Sequence, residues 1–318
     1  IHITIKHKRR ILKHTWRWIF LFPFMIITKG LYSQDLDPRA YIWVPDGTNT
    51  AIAGFSYLNG NILTDPTLPI KDVKVNAQTP SVAFVHAFNC FGMTSQALVA
   101  VPFAWAQAEG NVNGQYQETT RAGLGDIRLR WTLLMLGAPS ASMQEILAVK
   151  RKTIFGFSLN IQTPSGQYFS DKLINIGTHR WSFRPELALS QPISKRWLLD
   201  VYAGVWLFTP NETFFPGTAD RTQEPLGTFQ AHISYNINPH AWVGLNTTYY
   251  AGGISTVDAT VNDDRQSNFR IGFTGVVPVG KVSSLKLAIS TGAVVRSGQD
   301  FTNISIGYQT SWFRKPKR

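Results

Sequence analysis

Charge is scarce in this sequence: Asp, Glu, Lys and Arg make up 16% of 318 residues, against roughly 25% in an average soluble domain. Cysteine is nearly absent, with Cys90 alone, so no internal disulfide can hold the fold. No apolar run reaches about 18 residues, which excludes a bundle of membrane-spanning helices. Acidic residues are missing from residues 1–33, which carry seven Lys/Arg, and the last five residues add Arg314, Lys315, Lys317 and Arg318. These two ends account for eleven of the twelve net positive charges, leaving 20 basic against 19 acidic residues between them. So neutral a body gives no support for a groove tracking a phosphate backbone, and nucleic acid is not an expected partner. What is present is 44% hydrophobic and 13% aromatic, with 25 Gly and 17 Pro, a composition that excludes disordered and collagen-like chains.

The amino end has three parts. A basic stretch to Arg17 is followed by the apolar run Trp18 to Ile27, and Gly30-Leu31-Tyr32-Ser33 leads into the polar Gln34-Asp35-Leu36-Asp37-Pro38. This is the layout of a secretory signal over 1–33, with cleavage after Ser33. The alternative is an amphipathic or short anchoring helix, but so short a run cannot cross a hydrocarbon core of roughly 30 Å.

Beyond Asp35 the dominant pattern is alternation. Phe155, Phe157, Leu159 and Ile161 interleave with Gly156, Ser158, Asn160 and Gln162, a period-2 strand with one apolar and one polar face. The same pattern predicts twelve strands between residues 48 and 313, the first three near 51–59, 73–88 and 97–108. Short connections, Asn89 to Thr94, Pro192 to Arg196, Asn236 to His240 and Pro278 to Ser283, are rich in Pro, Gly, Ser and Asn. Longer polar loops are expected at 60–68, 109–121, 164–178, 210–225 and 252–267. One exception is 137–152, long where a short turn belongs, with a helical turn expected over 143–149. Short turns at one end and long loops at the other describe an up-and-down antiparallel barrel.

The polar strand positions are mostly Ser, Thr, Asn, Gln and Gly, where a soluble barrel would show Lys and Glu. Apolar outside and wet inside is the pattern of a barrel in lipid, and twelve strands of roughly 9–11 residues would span a bilayer. Trp105, Trp181, Trp197, Tyr235, Tyr249, Tyr308 and Trp312 fall near strand ends, as interfacial girdles do; the alternative places them in a sandwich core. The expected fold is therefore all-β, a transmembrane barrel in the bacterial outer membrane over 48–313, preceded by a periplasmic lead-in or plug at 34–47 and followed by a basic tail at 314–318.

Several motifs then carry a resemblance. Asp35-Leu36-Asp37-Pro38-Arg39-Ala40-Tyr41, Gly123-Leu124-Gly125-Asp126-Ile127-Arg128-Leu129-Arg130, Pro164-Ser165-Gly166-Gln167-Tyr168, Asn175 through Glu186, and Asp200 through Phe208 resemble the outer-membrane transporter family named for the MetA pathway of phenol degradation. The resemblance runs over essentially the whole exported chain and implies a barrel that passes small aromatic or other hydrophobic solutes. The end at Tyr308, Trp312 and Phe313 resembles the carboxy-terminal signal read by the barrel-insertion machinery, here followed by a basic tail.

On the polar face, Asp126, Arg128, Arg130, Arg180, Arg184, Glu186, Asp200 and Arg270 are the expected pore-lining residues, with Lys286 and Arg296. Lys74 joins them if a bulge near Pro80 reverses the strand parity. A cationic lining would favour anionic solutes, carboxylates included; the alternative is cross-strand struts, Arg184 and Glu186 with Asp200. His232 and Ser234 share a face with Asn246 nearby, the ingredients of acyl transfer, but on the lumen side and without a surrounding motif, so polar lining is the reading kept and no enzyme is expected. The remaining His residues have no metal-ligand spacing, and neither a cofactor nor a metal is expected. Two functions follow: a passive channel for small aromatic or carboxylate-bearing solutes, or a structural or adhesive barrel acting through its loops, where Phe214, Phe215 and Pro216 could form a landing patch. The expected partners are outer-membrane lipid, the insertion machinery and a small solute.

Overall fold

Alternating residues can bury one face only if the sheet they form closes or is covered, and here it closes. The computed structural model describes residues 36–63, 70–149, 151–172 and 174–313, so the signal reading at 1–33 and the basic tail at 314–318 lie outside the described residues. The wall runs through β1 (Thr48–Leu63), β2 (Ile70–Cys90), β3 (Met93–Val112), β4 (Gln115–Leu124), β5 (Arg128–Leu136) and, after the helix α1 (Met143–Ala148), β6 (Ile154–Gln162), β7 (Ser182–Pro192) and β8 (Trp197–Phe208). Two short strands, β9 (Asn211–Phe214) and β10 (Ala219–Gln223), precede β11 (Leu226–Asn236) and β12 (Trp242–Gly252). Two more, β13 (Ser255–Val257) and β14 (Thr260–Val261), precede β15 (Gln266–Pro278), β16 (Ser283–Val294) and β17 (Gly298–Phe313).

Every wall strand is antiparallel to its neighbours, and β1 pairs with both β2 and β17, the latter from Thr48↔Phe313 to Leu63↔Gly298. Because β4 and β5 both pair with β3 and form one interrupted stave, the closed barrel has twelve staves, as the alternation predicts. Closure removes the free edges that lipid cannot satisfy. The short turns and both ends of the wall lie together, which makes that end periplasmic.

The polarity is inverted relative to a soluble protein. Leu245, Phe229, Phe273, Ile289 and Ile304 are exposed on the outside, whereas Ser158, Arg184, Glu186, Asp200, Gln230 and Asn268 are buried inside. The expected girdle aromatics are exposed except for the half-buried Tyr235, and contacts form at the two rims: Trp197 lies 4.9 Å from Tyr235 at the periplasmic end, and Trp105 lies 4.6 Å from Phe103 at the other. This is a transmembrane barrel of the bacterial outer-membrane type.

Three local expectations are corrected. The loop expected at 109–121 is mostly strand: β3 and β4 run on and meet at a two-residue turn, Asn113-Gly114, whose φ values of 51° and 79° suit the Asn-Gly pair. The loops at 210–225 and 252–267 contain β9, β10, β13 and β14, which form their own four-stranded sheet. No bulge occurs near Pro80, because β1 and β2 stay in register from Asn49↔His86 to Ile62↔Val73. Lys74 therefore faces outward, 3.7 Å from Glu109. The helical turn is present as α1, with a capping box in which Glu145 Oε2 accepts from Ser142 N and Ser142 Oγ accepts from Glu145 N.

Candidate functional site

Residues 36–47 have no alternation and cannot join the wall; the structure places them across the lumen. Two strand glycines make the room. A Cβ on Gly156 would lie 2.6 Å from the Tyr41 ring, and one on Gly272 would lie 2.6 Å from Leu36 Cδ1. Tyr41 is fully buried, donates from its hydroxyl to Glu186 Oε1 at 2.9 Å and receives a hydrogen bond from Ser158 at 2.7 Å. Its ring packs 4.9 Å from Tyr202 and beneath the Arg130 guanidinium, also at 4.9 Å. Asp37 accepts from Lys286 Nζ at 3.1 Å and from Arg130 Nη1 at 3.3 Å. Arg39 donates to Ser234 Oγ at 3.0 Å and Asn236 Oδ1 at 2.9 Å and stacks on Trp242. The segment is thus tied to β5, β6, β7, β11, β12 and β16, on opposite sides of the barrel.

Glu186 is the hub of this constriction. Beyond Tyr41, it lies 3.6 Å from Arg130 and 3.5 Å from Arg184 and accepts from Gln230 Nε2 at 3.1 Å. Arg184 also stacks on Trp206 at 4.9 Å. The Arg184–Glu186 half of the expected strut is present, but Asp200 is not in it. Asp200 is buried opposite Ser190 and His232, four residues along β7 from Glu186. His232 bonds to Asn246 at 3.1 Å while Ser234 serves Arg39, so these two share a face without forming a nucleophile and base pair.

The other expected lining residues are placed higher or differently. Arg128 faces the lumen in an exposed position, in register with Ala100 and Gln162. Arg180 is buried at the extracellular end, donating to Gln223 Oε1 at 2.6 Å and stacked on Phe208 at 4.3 Å. Arg270 is fully buried and donates to the Phe301 carbonyl. Arg296 is exposed on the β16–β17 connection rather than on the wall, 3.1 Å from Asp263.

Asp126 is a staple. It sits in the break between β4 and β5 and accepts from Gly166 N at 2.9 Å, Thr178 N at 3.0 Å, Thr178 Oγ1 at 2.6 Å and Gln162 Nε2 at 2.8 Å. Gly166 and Gly177 pass so close that a Cβ on either would lie within 2.8 Å of the other's backbone. Three of the motifs carrying the family resemblance therefore converge on one feature, a loop cinched over the place where the wall is interrupted.

Above the constriction the tall strands β2 and β3 present an apolar inner face, Leu58, Val73, Val75, Ala77, Ala106, Ala108 and Phe301 forming a buried cluster with β1 and β17, while β4 turns Gln117, Thr119 and Arg121 inward. Between this face and the loops lies a chamber of about 210 Å³ lined by Val73, Ala108, Val112, Ile174 and Phe215, with Arg121, Lys172, Glu109, Glu118 and Asp171 as its charged groups. Sequence reasoning missed this chamber and the anchoring roles of Leu36, Asp37, Arg39 and Tyr41; the plug reading of 34–47 was the one available signal.

The family described as "Putative MetA-pathway of phenol degradation" matches residues 46–309. An outer-membrane channel from Pseudomonas putida F1 superposes with a TM-score of 0.74 at 18% identity, covering 87% of this chain and 100% of that one. The β domain of the Bordetella autotransporter BrkA superposes with a TM-score of 0.50 at 11% identity, covering 84% and 100%. At these identities the likeness is one of fold. No curated protein matches the chain.

Proposed function

The chain belongs to the family of the MetA pathway of phenol degradation, and on that premise we propose that it is an outer-membrane channel for passive uptake of small aromatic or carboxylate-bearing solutes, with residues 36–47 as a displaceable plug. The observation that carries this reading is the Asp37 carboxylate held between Lys286 and Arg130. A carboxylate on a solute can take the place of Asp37 on the same two cations, so the lock on the plug is chemically a mimic of the cargo. The chamber above has an apolar wall that suits a ring, with charges of both signs at its edge, Arg121 and Lys172 beside Glu109, Glu118 and Asp171. Below it the wall offers Arg128, Arg130, Arg184 and Lys286 against Glu186 and Asp200, a balance that favours anions.

The test is planar-bilayer conductance of the refolded chain, with selectivity from the reversal potential in a salt gradient. Asp37→Asn is expected to open more often than the parent and to prefer anions, and benzoate is expected to raise opening of the parent but not of the variant. A cation preference, or a benzoate response unchanged in Asp37→Asn, refutes the lock.

A further inference from the structure

At the periplasmic end the cationic side chains stand clear while the acidic ones are occupied. Arg151 and Lys152 before β6, Lys195 and Arg196 in the β7–β8 turn and Lys281 in the β15–β16 turn are all exposed. The acidic residues described on the connections at this end are Asp46, bonded by Ser140, and Glu145, which closes the cap of α1. Among the described residues, Arg151, Lys152, Lys195 and Lys281 make no ion pair, and Arg196 donates to Tyr235. The opposite end differs: Lys74 lies with Glu109, Lys172 with Asp171 and Arg296 with Asp263.

The same periplasmic connections carry bare apolar side chains. Phe91 is 94% exposed and Leu147 77%, while Ile193, Ile237, Val279 and Val282 are exposed by 58, 55, 47 and 57%. Each lies just beyond the aromatic rim at Trp197, Tyr235 and Trp312, where the hydrocarbon gives way to headgroups. A cation beside an apolar side chain at that depth is the pairing by which interfacial segments hold acidic lipid, the apolar group among the acyl chains and the charge at the phosphate. The apolar groups are spread over five connections around the barrel, and the cations over three of these, four of them on the neighbouring β5–β6 and β7–β8 connections and Lys281 on the far side. A protein partner would meet one side; a lipid annulus meets all of them.

We propose that the periplasmic rim is a binding surface for anionic phospholipid headgroups of the inner leaflet, with Arg151, Lys152, Lys195, Arg196 and Lys281 as its phosphate contacts. This surface is independent of what the lumen passes.

The experiment is native mass spectrometry of the full, folded chain released from micelles holding equal amounts of dioleoyl phosphatidylglycerol and dioleoyl phosphatidylethanolamine. The parent is expected to retain phosphatidylglycerol at least about fivefold over phosphatidylethanolamine, the factor one surface cation supplies. The combined variant Arg151→Gln, Lys152→Gln, Lys195→Gln and Lys281→Gln is expected to bring the two to parity. A control with as many neutralisations at the other end, Lys71→Gln, Lys74→Gln, Lys172→Gln and Arg296→Gln, is expected to keep the preference. Heat-modifiable migration on gels confirms that each variant is folded. Parity in the parent overturns the proposal, and so does an equal loss in the control, which would assign the preference to net charge alone.

Discussion

Replacing Tyr41 by Phe removes one oxygen from the segment at 36–47 and leaves its ring in place, so the change removes its hydroxyl ties to Glu186 and Ser158. The stronger of the two lost bonds is a hydroxyl donating to an ionised carboxylate at 2.9 Å, both groups buried, while Ser158 keeps its bond from Asn160. Such bonds contribute about 1.5–3 kcal/mol. Glu186 keeps Arg130, Arg184 and Gln230, so it is not left without partners and the lower part of that range applies. About 1.5–2 kcal/mol taken from the closed state shifts the ratio of displaced to docked plug by about ten- to thirtyfold. The barrel itself loses almost nothing, because its strand ladders do not involve Tyr41. In single-channel records Tyr41→Phe should show about tenfold or greater open probability at unchanged unit conductance. Urea midpoints for unfolding from vesicles should match the parent. Equal open probability in the two chains would refute the reasoning that the segment at 36–47 gates the path, and an equal fall in unfolding midpoint would reassign Tyr41 to the stability of the wall.

Asp126→Ala removes the acceptor of four hydrogen bonds and leaves Gly166 N and Thr178 N unpaired; amide exchange over 163–178 should quicken at least about tenfold, from a loss of 1.5–3 kcal/mol, with the exchange of β7 and β8 unchanged. Leu245 is 62% exposed on the lipid face, so Leu245→Arg should lower folding stability in vesicles by about 2–4 kcal/mol if it lies near the bilayer midplane, whereas Arg128→Leu, on the lumen face, should cost far less in the same urea titration. Glu145 is held below the usual carboxylate range because the Ser142 backbone N–H donates to it. Its folded value is depressed, so its support of the α1 cap is present above the ordinary Glu range and disappears as pH falls through the lowered value; exchange of the Ser142 amide should accelerate across that window, and Glu145→Ala should be fast at every pH.

The strands and their orientation were legible because lipid imposes a rule that each residue must obey locally: Phe155, Phe157 and Leu159 alternate with Gly156, Ser158 and Asn160 whatever the rest of the chain does. The rule also explains the error at Lys74. Within the bilayer β2 turns Val82 and Phe84 outward to lipid, both exposed, whereas higher up Val73, Val75 and Ala77 are buried inward and Lys74 faces water. From Lys74 to Phe84 the strand keeps its register with both neighbours, its one shift lying further up between Lys71 and Lys74; the solvent outside it changes from hydrocarbon to water, and the apolar face changes sides with it. Read as a single lipid-facing strand, that reversal imitates a bulge near Pro80. The same loss of an outer apolar face hid the upper halves of β3 and β4, where Gln107, Glu109, Glu118 and Thr120 carry no lipid signal, even though Asn113-Gly114 marks the turn between them.

The plug was legible only as an absence of pattern, because its partners are remote in sequence: Tyr41 meets Glu186 and Asp37 meets Lys286. Yet the lumen charges gave the reason such a segment is needed. Arg130, Arg184, Glu186 and Lys286 are carried by a barrel too narrow for each to keep its own shell of water and too wide for all of them to reach one another. Asp37 and Tyr41 fill that gap, one neutralising Lys286 and Arg130 together and the other giving Glu186 a donor. The strut and selectivity readings of these residues are then not alternatives. On the proposed reading they act as struts while the segment is docked, and once it leaves, Arg130 and Lys286 lose the carboxylate they shared and become the positions at which a passing anion is held.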